Sequence, residues 1–422
     1  MRYLQVKHSE MLTGTVKIPG SKNSSLALIP ACCLADEPII LKNIPHILDI
    51  KRVLEISKDI GFSIARKEDN LILDPTRIKN SIIEPQKASA YRASYYFIGA
   101  LLHKFKKVSI GYPGGDNFGY RPIDQHISGL KALGAKFSFY NNHYVVEAEE
   151  LIGSEITFEK LTFGGTINII LAAVKAKGST ILKNAARDPE VEDLASLLNK
   201  MGANIKGAGT DTIIIEGVTT LKSCIHSVIP DRLIAGALLM AAGSSNGRIT
   251  VENVIPSHLE SCIQKLREAG LFIESSENSI TANAKNKLNG ISVEAGMYPE
   301  FGTDFQQPLT AMLTGAHGTS VIVDKVYPGR FNHCRELNKL GAKIEIQDNK
   351  AIIQGKSFLT GDWVKATDVR AGICLILAGL SAEGTTYITG IDHIERGYEN
   401  LVKDFSCLGA DIILYDSDVK RN

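Results

Sequence analysis

Lys131-Ala132-Leu133-Gly134-Ala135-Lys136-Phe137-Ser138-Phe139-Tyr140 reads as the end of an amphipathic helix, a glycine stop and the start of an alternating strand. Glycine is the usual residue after a helix, because it takes a positive φ without a Cβ penalty. The phrase returns along the whole chain, as Asp59-Ile60-Gly61, Met201-Gly202-Ala203, Ala269-Gly270-Leu271, Leu340-Gly341-Ala342 and Leu408-Gly409-Ala410. With Gly134 included, successive glycines lie 73, 68, 68, 71 and 68 residues apart. The chain therefore reads as six copies of one supersecondary unit of about 70 residues.

Upstream of each amphipathic helix lies a second helical stretch: Asn23–Ala35, Ala93–Phe105, Thr166–Lys177, Leu233–Ser244, Phe305–Ala316 and Val369–Ala382. All are apolar nearly all round, and a helix without a polar face is buried. Each is followed by a turn and a β-branched strand, such as Val108-Ser109-Ile110 or Ser320-Val321-Ile322. A hairpin closes the unit, and Asn141-Asn142 and Glu277-Asn278 are suitable turns. The order is helix, strand, helix, strand, strand. That places the chain in the α/β class, with buried helices inside and sheets outside.

A chain of 422 residues exceeds the roughly 250–300 residues at which one core stops growing, so two domains of three repeats each are expected. Basic and acidic residues number 47 and 46, a net charge of +1. Bulk electrostatics thus gives no case for nucleic acid or an anionic membrane as partner. Met1–Met11 alternates like a strand and lacks the apolar core of a secretory leader. The apolar run Leu233–Gly243 is far shorter than the ~20 residues a spanning helix needs. The seven cysteines form no CxxC pair, and their apolar settings predict reduced core thiols in a cytoplasmic protein.

The chemistry gathers where the buried helices begin. These starts read Gly20-Ser21-Lys22-Asn23, Tyr91-Arg92-Ala93-Ser94, Gly164-Gly165-Thr166, Pro230-Asp231-Arg232, Gly302-Thr303-Asp304 and Thr367-Asp368-Val369-Arg370. Asp231, Asp304, Asp368 and Thr166, taken singly, read as N-caps. Capping does not explain Lys22, Arg92, Arg232 and Arg370, because a cation opposes the helix dipole at that end. Four such cations at equivalent positions predict bound anions. A second set, Arg121, Arg187, Arg330 and Arg396, falls in strand-to-helix loops. Each alone reads as a surface or ion-pair arginine; together they predict a substrate with several negative charges. Tyr112–Tyr120 holds three glycines and a proline, a composition that suits a mobile lid. No triphosphate-binding loop, dinucleotide fingerprint or zinc spacing occurs, so neither a metal nor a cofactor is expected.

Pro19-Gly-Ser-Lys-Asn-Ser24, Arg92-Ala-Ser94, Pro113-Gly-Gly115, Arg121-Pro-Ile-Asp-Gln-His126, Asn184-Ala-Ala-Arg187, Pro230-Asp-Arg232, Thr303-Asp304, Arg330-Phe331, Ala366-Thr-Asp-Val-Arg370 and Arg396-Gly-Tyr398 together resemble the enolpyruvyl transferases over essentially the whole chain. The Lys22-Asn23 pair is closer to the branch with a UDP-sugar acceptor than to the shikimate branch. The resemblance implies a two-domain inside-out α/β barrel, with domains 22–229, carrying the Asp116 loop, and 1–21 plus 230–422. The active site would lie between them. It also implies phosphoenolpyruvate and UDP-N-acetylglucosamine as substrates, and phosphate and a 3-O-enolpyruvyl ether as products. That reaction is the first committed step of peptidoglycan precursor synthesis. No obligate protein partner is implied.

By the same resemblance Lys22, Arg121 and Arg396 would hold the phosphate of phosphoenolpyruvate, and Arg330 and Arg370 its carboxylate. Arg92 would support the uridine and phosphate side. Asn23 and Asp304 would hold the sugar, with Asp304 placed to take the 3′-hydroxyl proton. Arg121, Pro122, Ile123, Asp124 and Gln125, with Lys160, Thr162, Phe163 and Gly164, would line the UDP site. Asp231 and Asp368 would orient neighbouring cations or substrate hydroxyls. The chemistry needs one acid, one base and dense positive charge, which these residue types supply.

Three positions depart from the family pattern. Asp116 stands where most members carry cysteine, a variant that a minority share. Gly302 stands where proline is common, which predicts a looser approach to Asp304. Ile234 replaces a more polar residue near the sugar. Asp116 must be protonated to donate to the enol carbon, whereas a free aspartate titrates near ~3.9. A carboxylate is also a poor nucleophile toward the epoxide of fosfomycin, which alkylates the usual cysteine, so resistance is expected. Two other readings stand beside this one: a diverged transferase with another acceptor, and a catalytically silent sugar-nucleotide-binding paralogue. The uridine-loop residues oppose the first. Retention of Lys22, Asp116, Asp304 and Arg396 opposes the second.

Overall fold

The computed structural model describes residues 2–116, 119 and 121–416. Six buried helices organise it: α1 (Lys22–Ala31), α2 (Tyr96–Phe105), α3 (Phe163–Ala173), α4 (Arg232–Ser244), α5 (Thr303–Leu313) and α6 (Val369–Ser381). Their interior residues are almost wholly buried, as the lack of a polar face requires. The six glycines of the repeated phrase all have positive φ, between +97° and +115°. Each ends an amphipathic helix, as its position in the repeat predicts.

Six sheets flank the helices. In five of them the strand that follows the buried helix pairs antiparallel with the second strand of the hairpin; in the sixth, Thr385–Thr389 pairs antiparallel with Arg2–Lys7 instead. On its other side a short strand runs parallel to it. In the second repeat Lys107–Gly111 lies antiparallel to His143–Glu147 and parallel to Ile82–Ile83. The hairpin turns fall at Asn141-Asn142 and Glu277-Asn278, closed by Tyr140 N–H to His143 C=O and Ser276 N–H to Ser279 C=O, both 2.9 Å.

The described residues form two compact units, one of 2–19, 119 and 230–416, the other of 20–116 and 121–229. Each has its own core, with Leu239, Met312 and Leu375 in the first and Leu28, Ile170 and Leu197 in the second. In the first unit Arg2–Lys7 pairs antiparallel with both Thr385–Thr389 and Ile412–Asp416. The chain's first strand thus supplies the strand that the sixth repeat lacks. Thr13–Lys17 runs parallel to Arg248–Glu252 in the same unit. In the second unit Ile225–Ser227 runs parallel to Ile39–Lys42. Each unit by itself therefore has the inside-out arrangement, with helices within and sheets without.

Four details differ from the sequence reading. The parallel strand of each sheet was not anticipated, because it spans only two to five residues, too few for alternation to register. Helix α3 begins at Phe163, not Thr166, with both glycines in its first turn. A Cβ on Gly164 would lie 2.7 Å from the Tyr95 hydroxyl and 3.0 Å from His126 Nε2, so this glycine marks a close approach rather than a break. A 3-10 turn at Arg92–Tyr95 precedes α2, and another at Cys32–Leu34 follows α1. Cys407 is exposed and Cys224 half-buried, so these two thiols are not core residues. Among the described residues no helix is long and apolar enough to cross a membrane.

Candidate active site

In the first unit α4, α5 and α6 pack on one another, and the acidic residues at their starts separate into two kinds. Asp231 and Asp368 are caps. Asp231 Oδ1 accepts from the N–H groups of Leu233 and Ile234 at 2.9 and 3.0 Å, and Asp368 Oδ1 from those of Arg370 and Ala371 at 2.9 and 3.1 Å. Asp304 is not a cap, because it already lies inside the first turn of α5. Its carboxylate is bridged by two arginines, Arg330 Nη1 at 2.6 Å and Arg370 Nε at 3.1 Å. Thr166 is no cap either; Thr162 Oγ1 accepts from Gly165 N–H at 3.1 Å and fills that role for α3.

Arg330 also donates to Thr303 Oγ1 at 3.2 Å, and its Nη2 lies 3.9 Å from Asp368 Oδ1. Asp368 Oδ2 accepts from Gln307 Nε2 at 3.2 Å. Arg232, Arg330, Arg370 and Arg396 are all buried, the most open of them 8% exposed. An arginine stays charged and is seldom buried without a partner, so each of these burials calls for a carboxylate, an aromatic face or a bound anion. The Arg232 guanidinium stacks on the Tyr298 ring, 5.0 Å from its centroid. Burial alone would raise the pKa of Asp304; Arg330 and Arg370 outweigh it and hold the carboxyl well below the usual range. Burial pushes the Tyr398 phenol up to about 12, against the pull of Arg370.

Gly302 takes φ −63° and ψ 138°, extended values open to any residue. The glycine is therefore not demanded by the approach to Asp304. The Ile234 side chain is buried in the core and offers no polar group. Arg187 forms an exposed pair with Asp211 at 3.6 Å, which is its surface reading.

In the second unit Lys22 is the first residue of α1, behind the cap Ser21. Its ammonium lies 2.9 Å from Asp49 Oδ2, and Arg52 Nη1 takes the other oxygen at 3.2 Å. Asp49 is 1% exposed. Sequence reasoning missed it, since an acid in the first turn of Leu48–Ile60 reads as an ordinary helix-dipole residue. Asn23 beside Lys22 is half-buried. Asp49→Asn is expected to lower stability by about 1–3 kcal/mol, the cost of weakening a buried hydrogen-bonded group. Thermal unfolding checks this; an unchanged melting temperature would mean that the pairs with Lys22 and Arg52 carry no net stability.

Arg92 opens the 3-10 turn, with its guanidinium 5.8 Å from the Tyr95 ring centroid. It donates to the Arg121 carbonyl, which joins two of the expected arginines. Pro113-Gly114-Gly115 fits closely against 89–92. A Cβ on Gly114 would overlap the Ser89 carbonyl, and one on Gly115, at φ +101°, would lie 3.1 Å from Arg92 Cβ. Asp116 follows directly and is half-buried. Asn117, Phe118 and Tyr120 of the expected lid lie outside the described residues.

Arg121, Pro122 and Ile123 lead into the helix Asp124–Ala132, whose first turn holds Asp124 and Gln125. Gln125 Oε1 accepts from Glu159 N–H at 3.0 Å, which brings Lys160 and Thr162–Gly164 alongside. Pro122, Asp124 and Lys160 are exposed; Arg121, Ile123, Gln125, Thr162, Phe163 and Gly164 are half-buried. Behind them sits His126, also missed. It is buried, its ring 4.3 Å from that of Tyr95 and its Nδ1 3.2 Å from the Asn168 amide. Burial, aided by Arg92, lowers its pKa to about 3, so the ring is neutral.

The chain matches the protein family described as EPSP synthase (3-phosphoshikimate 1-carboxyvinyltransferase) over residues 6–405. The UDP-N-acetylglucosamine 1-carboxyvinyltransferase 2 of Bacillus cereus is 46% identical over 413 residues, 98% of this chain and 96% of the relative. The protein of the same name from Listeria monocytogenes is 46% identical over 409 residues, 97% of each chain. Among solved structures, the enolpyruvyl transferase NikO from Streptomyces tendae shares the fold, with a TM-score of 0.89 at 22% identity over 98% of both chains. The chain belongs to the EPSP synthase family of enolpyruvyl transferases.

Proposed function

We propose that this protein transfers the enolpyruvyl group of phosphoenolpyruvate to the 3′-hydroxyl of UDP-N-acetylglucosamine and releases phosphate, the first committed step of peptidoglycan precursor synthesis. The observation that carries the reading is the Arg330–Asp304–Arg370 bridge. Two buried guanidinium groups converge there on one carboxylate, the geometry that suits a substrate carboxylate as well. Full-length identity of 46% to relatives named for this acceptor supports the UDP-sugar over shikimate 3-phosphate. Both substrates are multiply charged and do not cross a bilayer unaided, so the reaction belongs in the cytoplasm.

In this reading Asp116 delivers a proton to the enol methylene carbon and Asp304 accepts the proton of the sugar hydroxyl. The hydroxyl oxygen bonds to C2. Lys22, Arg121 and Arg396 bind the phosphate, which then departs with its C–O electron pair as the methyl carbon returns a proton to the Asp116 carboxylate; the proton taken up by Asp304 is the one that hydrogen phosphate carries away. Arg330 and Arg370 hold the carboxylate. Arg92, Asn23, Pro122, Ile123, Asp124, Gln125, Lys160, Thr162, Phe163 and Gly164 hold the sugar nucleotide, while Asp231 and Asp368 fix the helix starts.

The test is phosphate release when both substrates are mixed. Release only with a different acceptor would mean a diverged transferase. Binding of UDP-N-acetylglucosamine without release would mean a silent paralogue. Asp116→Cys is expected to stay active and become inactivated by fosfomycin with time, whereas the natural protein resists it. Time-dependent inactivation of the natural protein, with the adduct mapped to Asp116, would overturn that expectation.

A further inference from the structure

Asp193 lies on the helix Pro189–Lys200 and takes no part in the reading above. Its side chain is 2% exposed, so its oxygens must be satisfied within the protein. Three donors from two other segments meet it. The Ser24 hydroxyl donates to Oδ2, His226 Nε2 to Oδ1 at 2.7 Å, and Ile229 N–H to Oδ2 at 3.4 Å. Lys200 Nζ lies 3.2 Å from His226 Nδ1. An ammonium only donates, so Nδ1 accepts, and the ring is the neutral tautomer with its proton on Nε2. This is not a nucleophile triad, because the serine hydroxyl is spent on the carboxylate rather than on the histidine, and Ser24 is fully buried.

Ser24 sits two residues beyond Lys22, in the first turn of α1. The N–H groups of a first turn have no intrahelical acceptor. Here it is held by added contacts: Ser21 N–H to Ile229 C=O at 2.7 Å, and Ser24 N–H to Ser21 Oγ at 3.2 Å. Asp49 grips the turn at Lys22, and Asp193 grips it at Ser24. We propose that Asp193 is a positioning residue: through Ser24, and braced by His226, it fixes the first turn of α1 and so the placement of Lys22 and Asn23. The consequence for turnover rests on the transferase reading; the consequence for Lys22 itself does not.

The test uses Ser24→Ala, Asp193→Asn, His226→Phe and His226→Gln, the last retaining a donor toward Asp193. Melting temperature, kcat and KM for phosphate release are measured. So is the rate at which an amine-selective reagent labels Lys22, mapped by mass spectrometry with Lys265 of the other unit as reference. Ser24→Ala, Asp193→Asn and His226→Phe are expected to lower kcat about tenfold to a hundredfold, the cost of slight misplacement of a reacting group. Lys22 labelling should speed up while that of Lys265 does not, and His226→Gln should stay close to the natural protein. Folded variants with lower melting temperature but unchanged kcat and unchanged labelling would overturn the proposal and leave the network a stabiliser only. If Asp193→Asn does not fold, Ser24→Ala, which removes one oxygen, decides. If the natural protein releases no phosphate, the transferase reading falls, and the labelling alone decides the positioning.

Discussion

Asp304→Asn is expected to give a folded protein that turns over about 10²–10⁴ times more slowly, the range for loss of a general base, and that binds phosphoenolpyruvate more tightly. The two effects have opposite signs for one reason. In the free protein Arg330 and Arg370 are already engaged by Asp304, so the substrate carboxylate competes with an internal one. Asparagine keeps the shape but removes the competing charge. It also removes the proposed base. In the proposed mechanism the substrate carboxylate takes over the arginines; Asp304 then loses the charges that hold its pKa down and gains a like charge nearby, so its proton affinity rises. On that reading the exchange makes a base of a group that is a poor one at rest. Calorimetric titration with phosphoenolpyruvate and a kcat measurement check this. An intact kcat with only a raised KM would make Asp304 a binding residue.

The sign of the pH dependence follows from the same pairing. A carboxyl whose folded pKa is depressed contributes stability above its unfolded value of about 3.9, and that contribution is lost as pH falls through the folded value. The gap in melting temperature between the natural protein and Asp304→Asn is therefore expected at neutral pH and should close on acidification. Since Asp304 stays ionised in the free protein, kcat/KM should show no acid limb from it between about pH 5 and 8. A limb there that vanished in Asp304→Asn would contradict the depressed pKa.

The repeat and the α/β class were legible because both depend on local pattern: a glycine after an amphipathic helix, and helices with no polar face. From local pattern alone, which acid caps a helix and which pairs with arginines was not legible; only the family resemblance set Asp304 apart from Asp231 and Asp368. Asp231 and Asp368 stand just before their helices and Asp304 just inside, a difference of two positions, within the uncertainty of any helix boundary. The partners of the expected cations were hidden for another reason. Asp49 meets Lys22 only through the packing of Leu48–Ile60 against α1, and Asp193 meets Ser24 across 169 residues. His126 carried no signal apart from its motif, because its neutral state comes from burial against Tyr95 and Arg92. Arg187 shows the converse: it reads like Arg330 in sequence, yet it forms an exposed surface pair.

Lys22→Ala is expected to fold and to lose turnover by about 10²–10³-fold or more, the scale for removing one charged group that stabilises a transition state in a water-poor site. Folding should survive because Lys22 contributes little to the core. Ser21 still caps α1, Ser24 still binds Asp193, and Asp49 keeps Arg52 at 3.2 Å. The loss should therefore fall on chemistry. Phosphate gains charge as its C–O bond breaks, and an ammonium held in place by Asp49 needs no reorganisation to meet it. Lys22→Arg separates charge from position: the charge remains, but the longer planar group cannot keep the 2.9 Å contact to Asp49 and also occupy the ammonium's place. Partial recovery with arginine would show that charge carries part of the effect and placement the rest. Near-natural turnover in Lys22→Ala would remove Lys22 from the mechanism and, with it, the reason for two buried carboxylates to grip the first turn of α1.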